Sequence, residues 1–390
     1  MANIVPAVIS SGMVRRLALT DTLIGESGLP PLYRIDANTT LYVATTGNDT
    51  TGDGTSGNPW ATVAKALAYL GSFWISSVAT VTISVGDGTY TTTSTITPNH
   101  PCGARINITG ANTYARSVSS VQSSSGSSGA WSYILNMNSV ANIAVGDYIV
   151  LRSVTGGSNP LLLTGCHYIS NVDTGNVRIT ITNVAASASV ASGACACTGT
   201  VIKAVLNNST NGIGIYLVGS KLGTISNIVI KTNVGTGVSV SNGSMCSFTT
   251  TCCVINSYIN VRVNSGSSIS GTGLTCSGGN FGAIFETESA VELGSIVVTG
   301  AVYSGVRIDM NSVFLTYGGF AAVACATGVE CRFASVVTLY DYIVAFCTVG
   351  ISVNRITYVY SGIATLTSNG ANFDVSVNTW TTDHCYVEST

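Results

Sequence analysis

Short runs of alternating apolar and polar residues recur every 22 or 23 positions between Gly214 and Trp380. Aligned on Gly214, Gly237, Asn260, Gly282, Gly305, Gly328, Gly350 and Asn372, the first column holds only Gly and Asn. The next column reads Ile215, Val238, Val261, Ala283, Val306, Val329, Ile351 and Phe373. Two residues on come Leu217, Val240, Val263, Phe285, Ile308, Cys331, Val353 and Val375, separated from that column by Tyr216, Ser239, Arg262, Ile284, Arg307, Glu330, Ser352 and Asp374. Period two over a short run predicts a strand with one face inward and one outward. The Gly and Asn of the first column predict left-handed backbone at a turn.

A unit of 22 or 23 residues is too short for a strand and a helix but holds three short strands with their turns. The repeat therefore predicts an all-β parallel β-helix, in which each coil bonds to the coils above and below at about 4.8 Å and like residues form ladders. A leucine-rich repeat, the main competitor, would carry a Leu and Asn framework that is missing here.

The remaining segments divide the chain further. Residues 1–38 hold Arg15, Arg16, Asp21, Glu26, Arg34 and Asp36 with Pro30 and Pro31 and no strand alternation, which suits an attachment arm or a loose terminus. Residues 39–135 open with a strand at 41–44, then a helix in which Asn58 caps and Pro59 takes the first position, closing the exposed end of the solenoid. Residues 136–206 break the period, and runs such as Val145 to Leu151 and Val177 to Ile181 predict an inserted antiparallel β subdomain. The Ser- and Gly-rich stretch 117–129 before it predicts a surface loop. Residues 207–390 form the main β-helix.

The run Tyr42-Val43, Gly47-Asn48-Asp49, Gly54-Thr55, Asn58-Pro59-Trp60-Ala61-Thr62 and Ala66-Leu67, followed by Gly86-Asp87-Gly88-Thr89-Tyr90, resembles the opening of pectate-lyase-like right-handed β-helix proteins, bacteriophage tailspikes and tail fibres above all. The resemblance is strongest over 41–110. It implies a right-handed single-stranded helix and a homotrimer. It also implies an N-terminal segment that docks to a virion tail, baseplate or adaptor protein, and a location on the phage particle. About ten residues follow Trp380, which leaves little room for the separate C-terminal module that such proteins often carry.

Composition narrows the partners. Only 8% of residues are charged, 46% are hydrophobic and the net charge is −2, with the 15 Lys and Arg scattered, so duplex nucleic acid is not expected. No start-of-chain signal pattern and no run of 18 apolar residues predicts export or membrane insertion. The 12 Cys are expected as reduced core residues, with a Cys253–Cys276 bridge as the exception to test. Asp49, Thr51, Asp53 and Gly54 match the start of a calcium loop, but Trp60 stands where the closing acid belongs, so no metal or cofactor is expected. His100, His167 and His384 are far apart in sequence and in coil column, and spacing supports no Ser/His/Asp or Cys/His arrangement.

On a β-helix, residues one coil apart become neighbours. The ladder Glu286, Asp309 and Arg332, with Arg307 and Glu330 beside it and Glu288 and Glu292 nearby, concentrates charge on one face. Glu286 and Asp309, stacked roughly 5 Å apart, fit a retaining glycosidase pair. Paired with Arg332 and Arg307, the same acids fit a ligand groove or a plain ion ladder. Tyr216, Tyr258, Tyr303, Tyr317, Tyr340, Tyr342, Tyr358 and Tyr360 fit sugar platforms or subunit contacts. Three functions remain open: a virion adhesin recognising, and as an enzymatic variant degrading, a host surface polysaccharide; a free polysaccharide lyase or glycosidase; and a non-catalytic structural fibre or capsid decoration.

Overall fold

Each repeat forms one coil of three strands, and the coils stack into a right-handed β-solenoid whose parallel sheets contain 9, 8 and 11 strands among the described residues. The structure is a computed structural model that describes residues 7–10, 13–16, 33–127, 130–156, 159–183, 193–210, 212–339, 341–354, 357–361, 364–367, 369–376 and 385–389.

The aligned columns are true neighbours. Ile215 lies beside Val238, Val238 beside Val261, Val261 beside Ala283, and the file continues through Val306, Val329 and Ile351 to Phe373. Ile215, Val238, Val261, Ala283, Val306, Val329 and Ile351 are fully buried, so the alternation reads directly as inside and outside.

The glycine column has a different cause from the expected one. Gly237, Gly282 and Gly328 are not left-handed; each sits where a Cβ would strike an inward valine and the carbonyl of the next coil. At Gly282 those contacts would be 2.1 Å to Val298 Cγ1 and 2.4 Å to the Gly305 oxygen. Close approach selects glycine here. Asn260 occupies the same column fully buried, its amide donating to the Gly278 carbonyl at 2.8 Å and accepting from the Ser257 amide at 3.0 Å. Left-handed residues stand instead a few positions before the column, at Asn256, Gly278, Gly300, Ala324 and Phe346, and in pairs at the next corner, between the 8- and 11-stranded sheets, as Asn242/Gly243, Ser265/Gly266, Thr287/Glu288, Met310/Asn311 and Phe333/Ala334.

The helix runs Val63–Leu70 with Thr62 as its N-cap, its hydroxyl accepting from the Lys65 amide at 3.1 Å. It begins later than Asn58 and Pro59 suggested, because Trp60 is spent elsewhere: it bridges Val43, is 2% exposed and donates to the Gly52 carbonyl at 2.9 Å. Asp49 then accepts from the Ala61 and Thr62 amides and the Thr62 hydroxyl, at 2.8, 3.0 and 2.7 Å. The loop that matched the start of a calcium pattern uses this carboxylate to fix the helix start.

The inserted subdomain is a closed six-stranded antiparallel barrel spanning 113–202. It begins well before 136, and the stretch expected as a loop at 117–129 supplies most of the strand Thr113–Ser127. That strand buries only Val118 and Val121, with Tyr114 packed part-buried on the barrel core, so its serine-rich outer face hid its regularity. The chain leaves the solenoid at Gly110 and rejoins it at the strand Ala204–Asn208. In the coil above, a single left-handed Asn227 makes the same corner.

Of the proposed arm at 1–38, most lies outside the described residues. The strands Ala7–Ser10 and Met13–Arg16 pair antiparallel, an alternation not read from the sequence, and Tyr33–Ile35 pairs with Phe73–Ile75. Toward the C-terminus, Cys385–Ser389 continues the 11-stranded sheet beside Thr357–Ser361.

Cys253 and Cys276 do not meet. The coil step is 22 residues here, so Val254 faces Cys276 and Cys253 faces Thr275, on opposite sides of the sheet. The cysteines whose side chains are described are buried and form no disulfide.

Candidate functional site

The charged ladder assembles on the outer face of the 8-stranded sheet, through ion pairs that link it along the axis. Arg262 donates Nε–H to Glu286 at 2.6 Å, Arg307 binds Asp309 at 2.8 Å, and Arg332 approaches Asp309 at 4.0 Å and Glu330 at 3.8 Å. The Ser304 hydroxyl donates to Glu330 at 2.6 Å. Arg307 and Glu330 are register partners, yet each takes another charge as its ion-pair partner. Asp309 is 1% exposed, so a ligand lying on the outer face does not reach its carboxylate in this arrangement. Glu288 stands apart on the exposed left-handed turn, and Glu292 points outward from the 11-stranded sheet.

The tyrosines divide. Tyr342 is 2% exposed and belongs to the solenoid core, not to an outer platform. Tyr258 and Tyr303 are half-exposed and flank Phe281 on successive coils, with centroid spacings of 6.1 and 5.3 Å. Tyr216 accepts from the Ser241 hydroxyl at 3.3 Å, and Tyr317 is exposed. Tyr340 and the side chains of Tyr358 and Tyr360 lie outside the described residues.

A site missed by the sequence reading lies where the barrel meets the 9-stranded sheet. The seam is polar and apolar at once. Arg152 of the barrel strand Tyr148–Thr155 donates to Ser295 Oγ at 3.0 Å, the Thr250 carbonyl at 3.0 Å and Thr275 Oγ1 at 2.6 Å. The Cys166 amide donates to Ser277 Oγ at 2.9 Å, and Gly165, with φ of +128°, sits so close that a Cβ would lie 2.6 Å from Thr299 Oγ1. Tyr148, Val150, Cys166 and Ile202 pack on Val205, Val229, Cys253 and Ile255.

Two clefts flank this seam. The larger, of 440 Å³, is lined by Tyr148, His167 and Tyr168 on the barrel side and by Lys231, Asn256 and Ser277 on the solenoid side. The second, of 390 Å³, includes Arg152, Thr155, Phe320 and Asp341. In the first, Tyr168 is 41% exposed and meets Tyr148 edge-on at 5.5 Å and 67°. Burial pushes the Tyr148 hydroxyl well above its ordinary range, so it remains a neutral hydrogen-bonding group. His167 is buried, and desolvation lowers its pKa to about 4; it is a neutral imidazole at pH 7, with Nε2 placed to donate to the Leu163 carbonyl at 2.7 Å. Aromatic faces with converging hydroxyl and amide groups make a surface suited to sugar rings, which present apolar C–H faces rimmed by hydroxyls.

No protein-family model matches the chain, and no curated protein matches it. Among solved structures it is similar to the tailspike protein gp49 from Pseudomonas phage LKA1, with 14% sequence identity, coverage of 86% of this chain and 79% of that chain, and a TM-score of 0.22. At that level of similarity no residue role passes from one chain to the other.

Proposed function

We propose that the protein is a virion spike or fibre adhesin that recognises a host surface polysaccharide, and that the cleft between barrel and solenoid holds the glycan. The carrying observation is the pairing of half-exposed Tyr168 with Tyr148 across from Lys231, Asn256 and Ser277 in one 440 Å³ cleft. The resemblance of residues 41–110 to tailspike openings supports the virion part of this reading. The test is binding of purified protein to surface polysaccharides of candidate host cells, alongside Tyr168→Ala. Loss of a stacked ring weakens binding at least tenfold; unchanged binding by the variant refutes the cleft.

In the same reading residues 1–38 dock to a tail, baseplate or adaptor protein, and the working form is a homotrimer. Sedimentation of the full chain reads the oligomer, and particle assembly with a chain lacking 1–38 reads the docking. The depolymerase variant assigns cleavage to Glu286 and Asp309 on the 8-stranded sheet, and it requires Arg307 and Arg332 to move off the buried Asp309 carboxylate. Shortening of the bound polysaccharide that disappears in the Glu286→Gln, Asp309→Asn double variant establishes it, whereas binding without shortening restricts the protein to adhesion.

A further inference from the structure

Among the described residues that line the larger cleft, Lys231 carries the one permanent charge. It sits on the solenoid strand Ile228–Thr232, and no ion pair forms at it among the described residues. The barrel carboxylate nearest in sequence to the cleft tyrosines, Asp147, is engaged elsewhere, by Lys203 at 3.2 Å and the Ala144 amide at 2.8 Å. His167 is held neutral by burial and adds no charge at pH 7. The remaining polar lining, Asn256, Ser277, Thr299 and Thr182, offers amide and hydroxyl groups matched to sugar hydroxyls. The cleft therefore combines aromatic faces, neutral hydrogen-bonding groups and a single ammonium with no counter-ion.

Resting on the adhesin reading, we propose that this cleft selects an acidic polysaccharide, with a sugar carboxylate paired to the Lys231 ammonium while the sugar ring packs on Tyr168. A neutral glycan would leave the ammonium without a partner in a partly desolvated cleft, whereas a carboxylate gains a charge-assisted hydrogen bond there. Discrimination then comes from one side chain.

The experiment uses the full chain and a set of bacterial capsular polysaccharides, each in native uronate-containing form and after carboxyl reduction to the neutral hexose. Native forms bind, and reduction weakens binding roughly tenfold or more. Lys231→Met weakens binding of the native forms by the same factor and lets the reduced forms bind at least as tightly as before, while Tyr168→Ala weakens both; melting curves confirm that both variants fold. Equal binding of native and reduced forms, with Tyr168→Ala still weakening both, overturns the acidic selection and leaves the adhesin reading standing. Binding insensitive to Tyr168→Ala, or no binding by any member of the set, overturns the adhesin reading itself.

Discussion

At the scale of single residues, two positions show how burial and close approach set constraints that residue type alone does not reveal. Gly282 lies on ordinary backbone, yet a methyl group there would meet Val298 Cγ1 and the Gly305 carbonyl at once. Gly282→Ala forces the coils apart or the valine off its rotamer, which costs about 1–3 kcal/mol; denaturant unfolding of the variant measures it. His167 is the second. Above its ordinary pKa of 6.5 the imidazole is neutral whether the chain is folded or not. Between 6.5 and about 4 the unfolded chain takes up a proton that the folded one excludes, so stability falls as pH falls through that window and levels off below it. A displacement of that size corresponds to about 3 kcal/mol. Melting temperatures of the natural protein and of His167→Gln across that range test this: the variant keeps whatever acid sensitivity other groups confer and loses this part.

At the scale of elements, legibility followed the origin of each signal. The solenoid strands were readable because every coil repeats the same inward pair, as in Val238 and Val240 or Val261 and Val263, and repetition averages out local noise. The charged ladder was readable for the same reason, since its members stand one coil step apart; which arginine each acid chooses was not, because that depends on side-chain reach. A buried serine file, Ser244, Ser267, Ser289, Ser312 and Ser335, follows the left-handed corner; it was present in the spacing and passed unread because serine suggests surface. The barrel strand Thr113–Ser127 was lost to the same prejudice, and the cleft was lost because it joins residues such as Tyr168 and Ser277 that no period connects. The seam that makes the cleft depends on Arg152. Arg152→Ala removes one guanidinium and leaves Thr275 and Ser295 short of a donor, at a cost of about 1–3 kcal/mol. Calorimetry of that variant should show the barrel melting before the solenoid, and glycan binding in the cleft should weaken with it. A single unshifted transition would mean that the apolar contacts around Val229 and Ile255 hold the seam alone.

At the scale of the whole molecule, stability is a sum of coil-to-coil interfaces, so the fold should tolerate a change in the number of coils and reject a change of phase. The step from Val329 to Ile351 is one full turn of 22 residues. Deleting residues 328–349 joins Thr327 to Gly350 and sets Ile351 beside Val306, apolar on apolar, with Val353 beside Ile308. Asp309 keeps its nearer partner Arg307 and gives up only the longer contact to Arg332. The larger cleft, built on strands of earlier coils, is untouched. Deleting 328–338 instead removes half a turn, and every later column arrives out of phase, with polar corner residues driven toward the apolar interior. The first variant should unfold cooperatively near the temperature of the natural chain and be shorter by about 4.8 Å in small-angle scattering. The second should lose cooperative unfolding or aggregate through its misplaced strand edges. Equal tolerance of the two deletions would show that the vertical register of side chains is not what holds the solenoid together.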